Sequence, residues 1–176
     1  CRDGLEDQVD SAVFPYTQGG PLMHQIAGKT VALGQAQQQD FHSYQRQIRN
    51  NAEALGERLQ EHGFRLVSGG TDNHLVLVDV GDSGMTGKEA ETRLEQAGII
   101  VNKNMIPYDP QSPKTTSGIR IGTPALTTRG MEEQEFQRIA DLIARVLLQD
   151  ETRTVREEVD RLCQDFPLYR DAAITY

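Results

Sequence analysis

One stretch of this chain combines a residue type and a spacing suited to chemistry: Thr115–Ala125, TTSGIRIGTPA. Strand side chains alternate between faces, so Ile119 and Ile121 point one way while Arg120, with Gly118 and Gly122, points the other. A guanidinium is a planar fork of donors that matches a carboxylate with two parallel hydrogen bonds, each charge-assisted bond contributing roughly 1.5–3 kcal/mol. No acid stands beside Arg120 in this stretch, so a small acidic ligand would satisfy it. An Asp or Glu from elsewhere in the chain would satisfy it equally. Because unpaired buried arginine is rare, strand placement alone favours that internal pairing.

Two other stretches could serve a ligand. Gly19-Gly20-Pro21 precedes a helical pattern and would let a bound group approach backbone N–H donors at the positive end of the helix dipole, where phosphate is the usual ligand. A lone GGP is more often a plain turn. Between Asn102 and Ser117 runs NKNMIPYDPQSPKTTS, polar, rich in proline and too long for a mere connector. The histidines His24, His42, His62 and His74 have no metal-ligand spacing, and each reads as a surface or packing residue. Neither cysteine lies in a nucleophile motif, and no GxSxG elbow, P-loop or dinucleotide fingerprint occurs. The chain thus holds an anion-binding arginine but no evident acid, base or nucleophile, as expected of part of a site.

These residues need elements to hold them. Leu22, Ile26, Thr30 and Leu33 have helical spacing, with Pro21 suited to the first turn after a polar opening turn. Phe41, Tyr44, Ile48, Ala52, Leu55 and Leu59 predict a linking helix that ends at Gly63, its face of Arg46, Arg49, Glu53, Glu57 and Arg58 solvated. Phe64–Ser68 and His74–Val80 read as strands joined by a hairpin-type loop, the second apolar on both faces and therefore central. Thr86-Gly87-Lys88-Glu89 is a capping-box pattern that opens a helix carrying Ala90, Leu94 and Ala97 and closed by Gly98. Ile99–Val101 predicts a short strand, and the Arg120 strand follows the long loop. Phe136, Ile139, Ile143, Val146 and Leu147 mark one further helix, and Val155, Val159, Leu162 and Phe166 a last one that stops at Pro167. The expected fold class is α/β: residues 64–169 form a mostly antiparallel sheet covered by helices, and residues before about 60 belong to another body.

A formal net charge of −8 and a pI near 5.0 argue against a nucleic-acid partner, whose phosphates need a basic surface. No apolar run approaches the roughly 20 residues that span a bilayer, so no membrane partner is expected. Cys1 and Cys163 stand too far apart to suggest a disulfide framework or a metal site, which fits a reducing compartment and a cytoplasmic location. The start CRDGLEDQVDSAVF, without methionine, suggests a fragment, and the terminal DAAITY a frayed tail.

The strings SAVFPYTQGGPLMHQIAGKTVAL, SGGTDNHLVLVDV, GKEAE, IIVNKNMIPYDP and SGIRIGTPALTTRG, in this order and spacing, resemble the C-terminal part of serine hydroxymethyltransferase. The resemblance implies a homodimeric, pyridoxal-phosphate-dependent transferase of fold type I that interconverts serine and glycine in one-carbon metabolism. Tetrahydrofolate is the co-substrate and 5,10-methylenetetrahydrofolate the product. It further implies the end of a large, cofactor-holding domain over residues 1–38, a linking helix over 39–62 and a C-terminal small α/β domain over 63–176. Carried over by position, Arg120 would bind the α-carboxylate of serine or glycine, and Gly19 and Gly20 the cofactor phosphate of the neighbouring subunit. Phe14 and Asn104 would contact folate, with Ser112, Pro113 and Lys114 lining the folate site. The Schiff-base lysine would lie upstream of Cys1, in a missing N-terminal part of the same enzyme, leaving no catalytic residue in this segment. Plain interface packing for Phe14, a turn-stabilising amide for Asn104 and a solvated loop for Ser112–Lys114 are the competing readings.

Tyr16 departs from the pattern, standing where the family usually has glycine just before the glycine pair. Two rival readings follow. One is a related pyridoxal-phosphate aldolase such as an α-methylserine hydroxymethyltransferase, and the other a module that captures small carboxylates without catalysis.

Overall fold

The computed structural model describes residues 2–168 and divides into two units, residues 1–42 and 43–176. Cys1 and the DAAITY stretch lie outside the described residues.

In the first unit, α1 (Glu6–Ser11) runs into a π-helical turn (Ala12–Thr17), and α2 spans Met23–Ala36. The polar opening turn expected from sequence is thus replaced in part by α1, whose Glu6 and Asp7 lie at its positive end. Pro21 precedes the N-cap residue Leu22 and so stands outside α2 rather than in its first turn. No described residue of this unit is buried, and Phe14, Tyr16, Met23 and Leu33 are all more than half exposed.

The second unit is built on α3 (Gln39–Glu61), whose first turn overlaps the boundary. Ile48, Ala52, Leu55 and Leu59, at steps of three and four, make its buried stripe, and Gly63 in the left-handed region (φ +88°) ends it. Arg46, Arg49, Glu53 and Glu57 are exposed as expected, but Arg58 is not simply solvated: it pairs with Asp141 at 2.7 Å and Glu61 at 2.6 Å. The sheet has four strands, β1 (Arg65–Leu66), β2 (Leu75–Asp79), β3 (Asn102–Asn104) and β4 (Gly118–Gly122), in the spatial order β1-β2-β4-β3, all antiparallel. The apolar strand β2 and the arginine strand β4 are therefore the two inner strands. Four helices bury the sheet on one side: α3, α4 (Gly87–Gln96), α6 (Glu133–Gln149) and α7 (Thr152–Asp165).

The core lies between that face and the helices. Val76, Val78, Ile119 and Ile121 meet Leu55, Leu94, Phe136, Leu142 and Ile143, each at most 7% exposed. Each such large apolar side chain contributes about 1.5–3 kcal/mol by leaving water. Gly56 brings α3 close to the sheet, because a Cβ there would lie only 3.1 Å from Leu66 Cδ1 and 3.4 Å from Val76 Cγ1. The capping box forms as its sequence predicts: Glu89 N–H donates to Thr86 Oγ1, and the Glu89 carboxylate accepts from Thr86 N–H at 2.8 Å. The Thr86 backbone bond and then its hydroxyl hold the Glu89 carboxyl below its ordinary range.

Three local expectations are corrected. Ile99–Val101 is not a strand; the ladder begins at Asn102, because Gly98 (φ +81°) turns the chain and Ile99 N–H caps α4 by donating to Leu94 O. The expected strand 64–68 shortens to Arg65–Leu66, since a single turn of 3-10 helix occupies Val67–Gly69. A short helix, α5 (Pro124–Thr128), opens directly after β4, with Pro124 at a helix start where its missing N–H costs nothing.

Candidate functional site

The face of the sheet away from the helices carries the candidate residues. Directly paired residues share a face, so Leu77, Arg120 and Asn102 form one row across β2, β4 and β3, with Asp79, Gly118 and Asn104 in the next. Arg120 is thereby set beside Asn102 and within about 7 Å, two strand residues, of the Asn104 row. On the opposite face its neighbours Ile119 and Ile121 are locked in the core, which fixes the orientation that the alternation predicts.

The Arg120 side chain is exposed and makes no ion pair or hydrogen bond with any described residue. The internal acid that strand placement favoured is absent among the described residues. The acid on this face, Asp79, is held by Arg65 and by Gly81 N–H at 2.8 Å. Arg120 opens into a groove of about 300 Å³ shared with His74, Leu75, Ile100 and Asn102. Among the described residues that line it, Arg120 is the one permanently charged side chain and there is no carboxylate, a composition suited to an anion. Ile100, 76% exposed, and half-buried Leu75 give it apolar sides.

The long loop is a built structure. Asp109 accepts four hydrogen bonds, from Ile106 N–H (3.1 Å), Gln111 N–H (2.8 Å), Ser117 N–H (2.9 Å) and the Ser117 hydroxyl (2.7 Å). Burial pushes this carboxyl up, but the donated bonds, led by the Ser117 hydroxyl, outweigh it and bring the pKa down to about 2. The start of α4 grips the other end of the loop, Gly87 and Lys88 N–H donating to Thr116 and Thr115 carbonyls at 2.9 and 3.0 Å. Only glycine fits at 87, where a Cβ would collide with Thr116 Oγ1 and the Gly118 carbonyl. Asn104 is half-buried and donates to the Met105 carbonyl at 2.8 Å. Ser112, Pro113 and Lys114 are exposed on a turn closed by Thr115 and Thr116 N–H to Ser112 O.

In the first unit, Gly19 and Gly20 make no backbone hydrogen bond with described residues, and a Cβ at either would meet nothing within 4 Å. Helix α2 follows with no side-chain cap on its first turn. Free N–H groups before an uncapped helix of 14 residues have the donor chemistry that a phosphate requires. Phe14 is 64% exposed and Tyr16 86%. Sequence reasoning did not single out Asp109 or Asn102. Asp before Pro, two residues ahead of Gln111, is a turn signature that marks the first; the second becomes visible only through strand register.

Among the described residues the second unit is an α/β domain whose antiparallel sheet is covered by helices on one face and carries the unpartnered Arg120 side chain on the other. Comparison with known proteins is more specific. The family model for serine hydroxymethyltransferase matches residues 1–143. A serine hydroxymethyltransferase of Natronomonas pharaonis is 55% identical over 176 residues, an alignment that covers 97% of this chain and 42% of the relative. The chain belongs to the serine hydroxymethyltransferase family, and with it to fold type I; it spans about 42% of the length of that relative.

Proposed function

We propose that this chain supplies the carboxylate-binding arginine and part of the folate and phosphate contacts of a pyridoxal-phosphate-dependent hydroxymethyltransferase. The reaction is the reversible conversion of serine and tetrahydrofolate to glycine and 5,10-methylenetetrahydrofolate. The single observation that carries the reading is the exposed, partnerless Arg120 in a groove without carboxylates. Its fork would take the α-carboxylate of serine or glycine, while Leu75 and Ile100 would screen that pair from water.

Gly19 and Gly20 would hold the cofactor phosphate, for which their free N–H groups are chemically fitted. When bound, pyridoxal phosphate supplies the electron sink for cleavage at the amino-acid α-carbon. Phe14, Asn104, Ser112, Pro113 and Lys114 would contact folate. The apolar side chains exposed on residues 2–42 favour a partner surface, and a homodimer with a large domain over 1–38, a linking helix over 39–62 and a small domain over 63–176 would provide it. No helix among the described residues is long and apolar enough to cross a membrane.

The test is turnover by the full-length protein loaded with pyridoxal phosphate, with serine or α-methylserine as donor. Tetrahydrofolate-dependent formation of glycine from serine supports the proposal. Preference for α-methylserine moves the assignment to the neighbouring activity that Tyr16 leaves open. Carboxylate binding without turnover of either substrate overturns it.

A further inference from the structure

We propose that Asp109 is a positioning residue that latches the 105–117 loop onto the first residues of the arginine strand and so sets the folate-side contacts independently of the carboxylate site. The inference rests on the reading that Asn104 and Ser112–Lys114 face folate. Its geometry is separate from that reading.

The carboxylate divides its acceptors between two parts of the chain. Oδ1 takes Gln111 N–H and the Ser117 hydroxyl, while Oδ2 takes Ile106 N–H and Ser117 N–H. Each oxygen therefore ties a loop amide to Ser117, the residue just before β4. Ile106 is the nearer clamp: its Cγ2 would lie 2.7 Å from a Cβ built on Gly118, so the residues after Asn104 are pressed onto the strand that Asp109 grips. The turn at Ser112–Lys114 lies between Gln111 and Ser117, both held by the same carboxylate, and its position follows from that hold. Arg120 receives nothing from Asp109; it is oriented by the core packing of Ile119 and Ile121.

An ionised carboxylate is the only common side chain of this size with two acceptor oxygens and no donor. In Asp109→Asn the amide oxygen can keep the Ile106 and Ser117 N–H groups while the nitrogen takes the place of Oδ1, where the Ser117 hydroxyl can rotate to accept but Gln111 N–H has no acceptor. At least one of the four bonds is then lost and the rest are no longer charge-assisted, so the affinity of the loop's ligand should fall roughly tenfold.

The experiment compares full-length wild type, Asp109→Asn and Ser117→Ala, each loaded with pyridoxal phosphate. Tetrahydrofolate and glycine affinities are measured separately, and amide hydrogen exchange is followed at Ile106, Gln111 and Ser117. The expected result for Asp109→Asn is a tetrahydrofolate Kd about tenfold higher, a glycine Kd within about twofold and faster exchange at those three amides. Glycine and tetrahydrofolate affinities falling together, or unchanged exchange in a folded variant, would overturn the proposal. If wild type binds no tetrahydrofolate, the folate reading fails and the exchange result alone decides whether the latch exists. If Asp109→Asn does not fold, Ser117→Ala, which removes one donor and keeps the backbone N–H, decides: about threefold weaker tetrahydrofolate supports the latch, and no change refutes it.

Discussion

Replacing Arg120 by lysine keeps the positive charge and removes the fork, which separates electrostatic attraction from bidentate recognition. The side chain is exposed and bonds to no described residue, so the folded chain should lose almost nothing, within about 0.5 kcal/mol. A bound carboxylate loses one of two charge-assisted hydrogen bonds, about 1.5–3 kcal/mol, or roughly 10- to 150-fold in Kd for serine and glycine. The assay is calorimetric titration of the full-length, cofactor-loaded protein with glycine, alongside a thermal melt and the cofactor absorbance. Weak glycine binding with retained cofactor and unchanged melting is the expected outcome. A glycine Kd within about twofold of wild type would refute the role assigned to the guanidinium. A fall of more than about 5 °C in melting temperature would also refute it, because it would reveal a structural partner for the arginine.

Gly118→Ala should destabilise the second unit by about 1–3 kcal/mol, because the new Cβ meets backbone as well as a side chain. It would lie 2.9 Å from the Asn104 carbonyl and 2.7 Å from Ile106 Cγ2, and a lowered urea midpoint is the readout. Asn51, fully buried, donates to Thr127 Oγ1 at 2.9 Å and to the Met131 carbonyl at 3.0 Å. Asn51→Ala should cost about 1–3 kcal/mol by chemical denaturation, since it strands those acceptors at the joint between α3 and the start of α6. Asp109 predicts an acid limb: its folded pKa of about 2 lies below the unfolded value of about 3.9. The contribution is complete above about pH 4 and disappears as the pH falls through about 2. Protection against hydrogen exchange at Gln111 and Ser117, taken relative to the intrinsic rate at each pH, should fall across that window in wild type and show no such step in Asp109→Asn.

The helices were legible because their information is local. The stripe Phe136, Ile139, Ile143 and Leu147 in α6, and Val155, Val159 and Leu162 in α7, are buried as their spacing predicts. The capping box at Thr86 needs only four residues and forms as read. Strand ends were harder, since Ile99–Val101 has the composition of a strand but the ladder sits on the polar Asn102–Asn104. Apolar composition reports burial, and those isoleucines and valine are recruited unevenly: Val101 is buried, whereas Ile100 is left on the wall of the arginine groove. The loop's length was visible in the sequence; the carboxylate that organises it was not, because Ser117 is eight residues away and the bond depends on how the chain returns.

By itself the sequence determined the helical stripes, the alternation that aims Arg120 away from Ile119 and Ile121, and the run of motifs that marks the family. Only the tertiary structure decided that no described acid reaches the guanidinium, that the sheet face it occupies is free of this unit's helices, and that Asn102 stands beside it. The physical reason is range. Periodicity of two or 3.6 residues selects a face from neighbours in the chain, whereas cross-strand register and the partner of a charge are settled between segments distant in sequence.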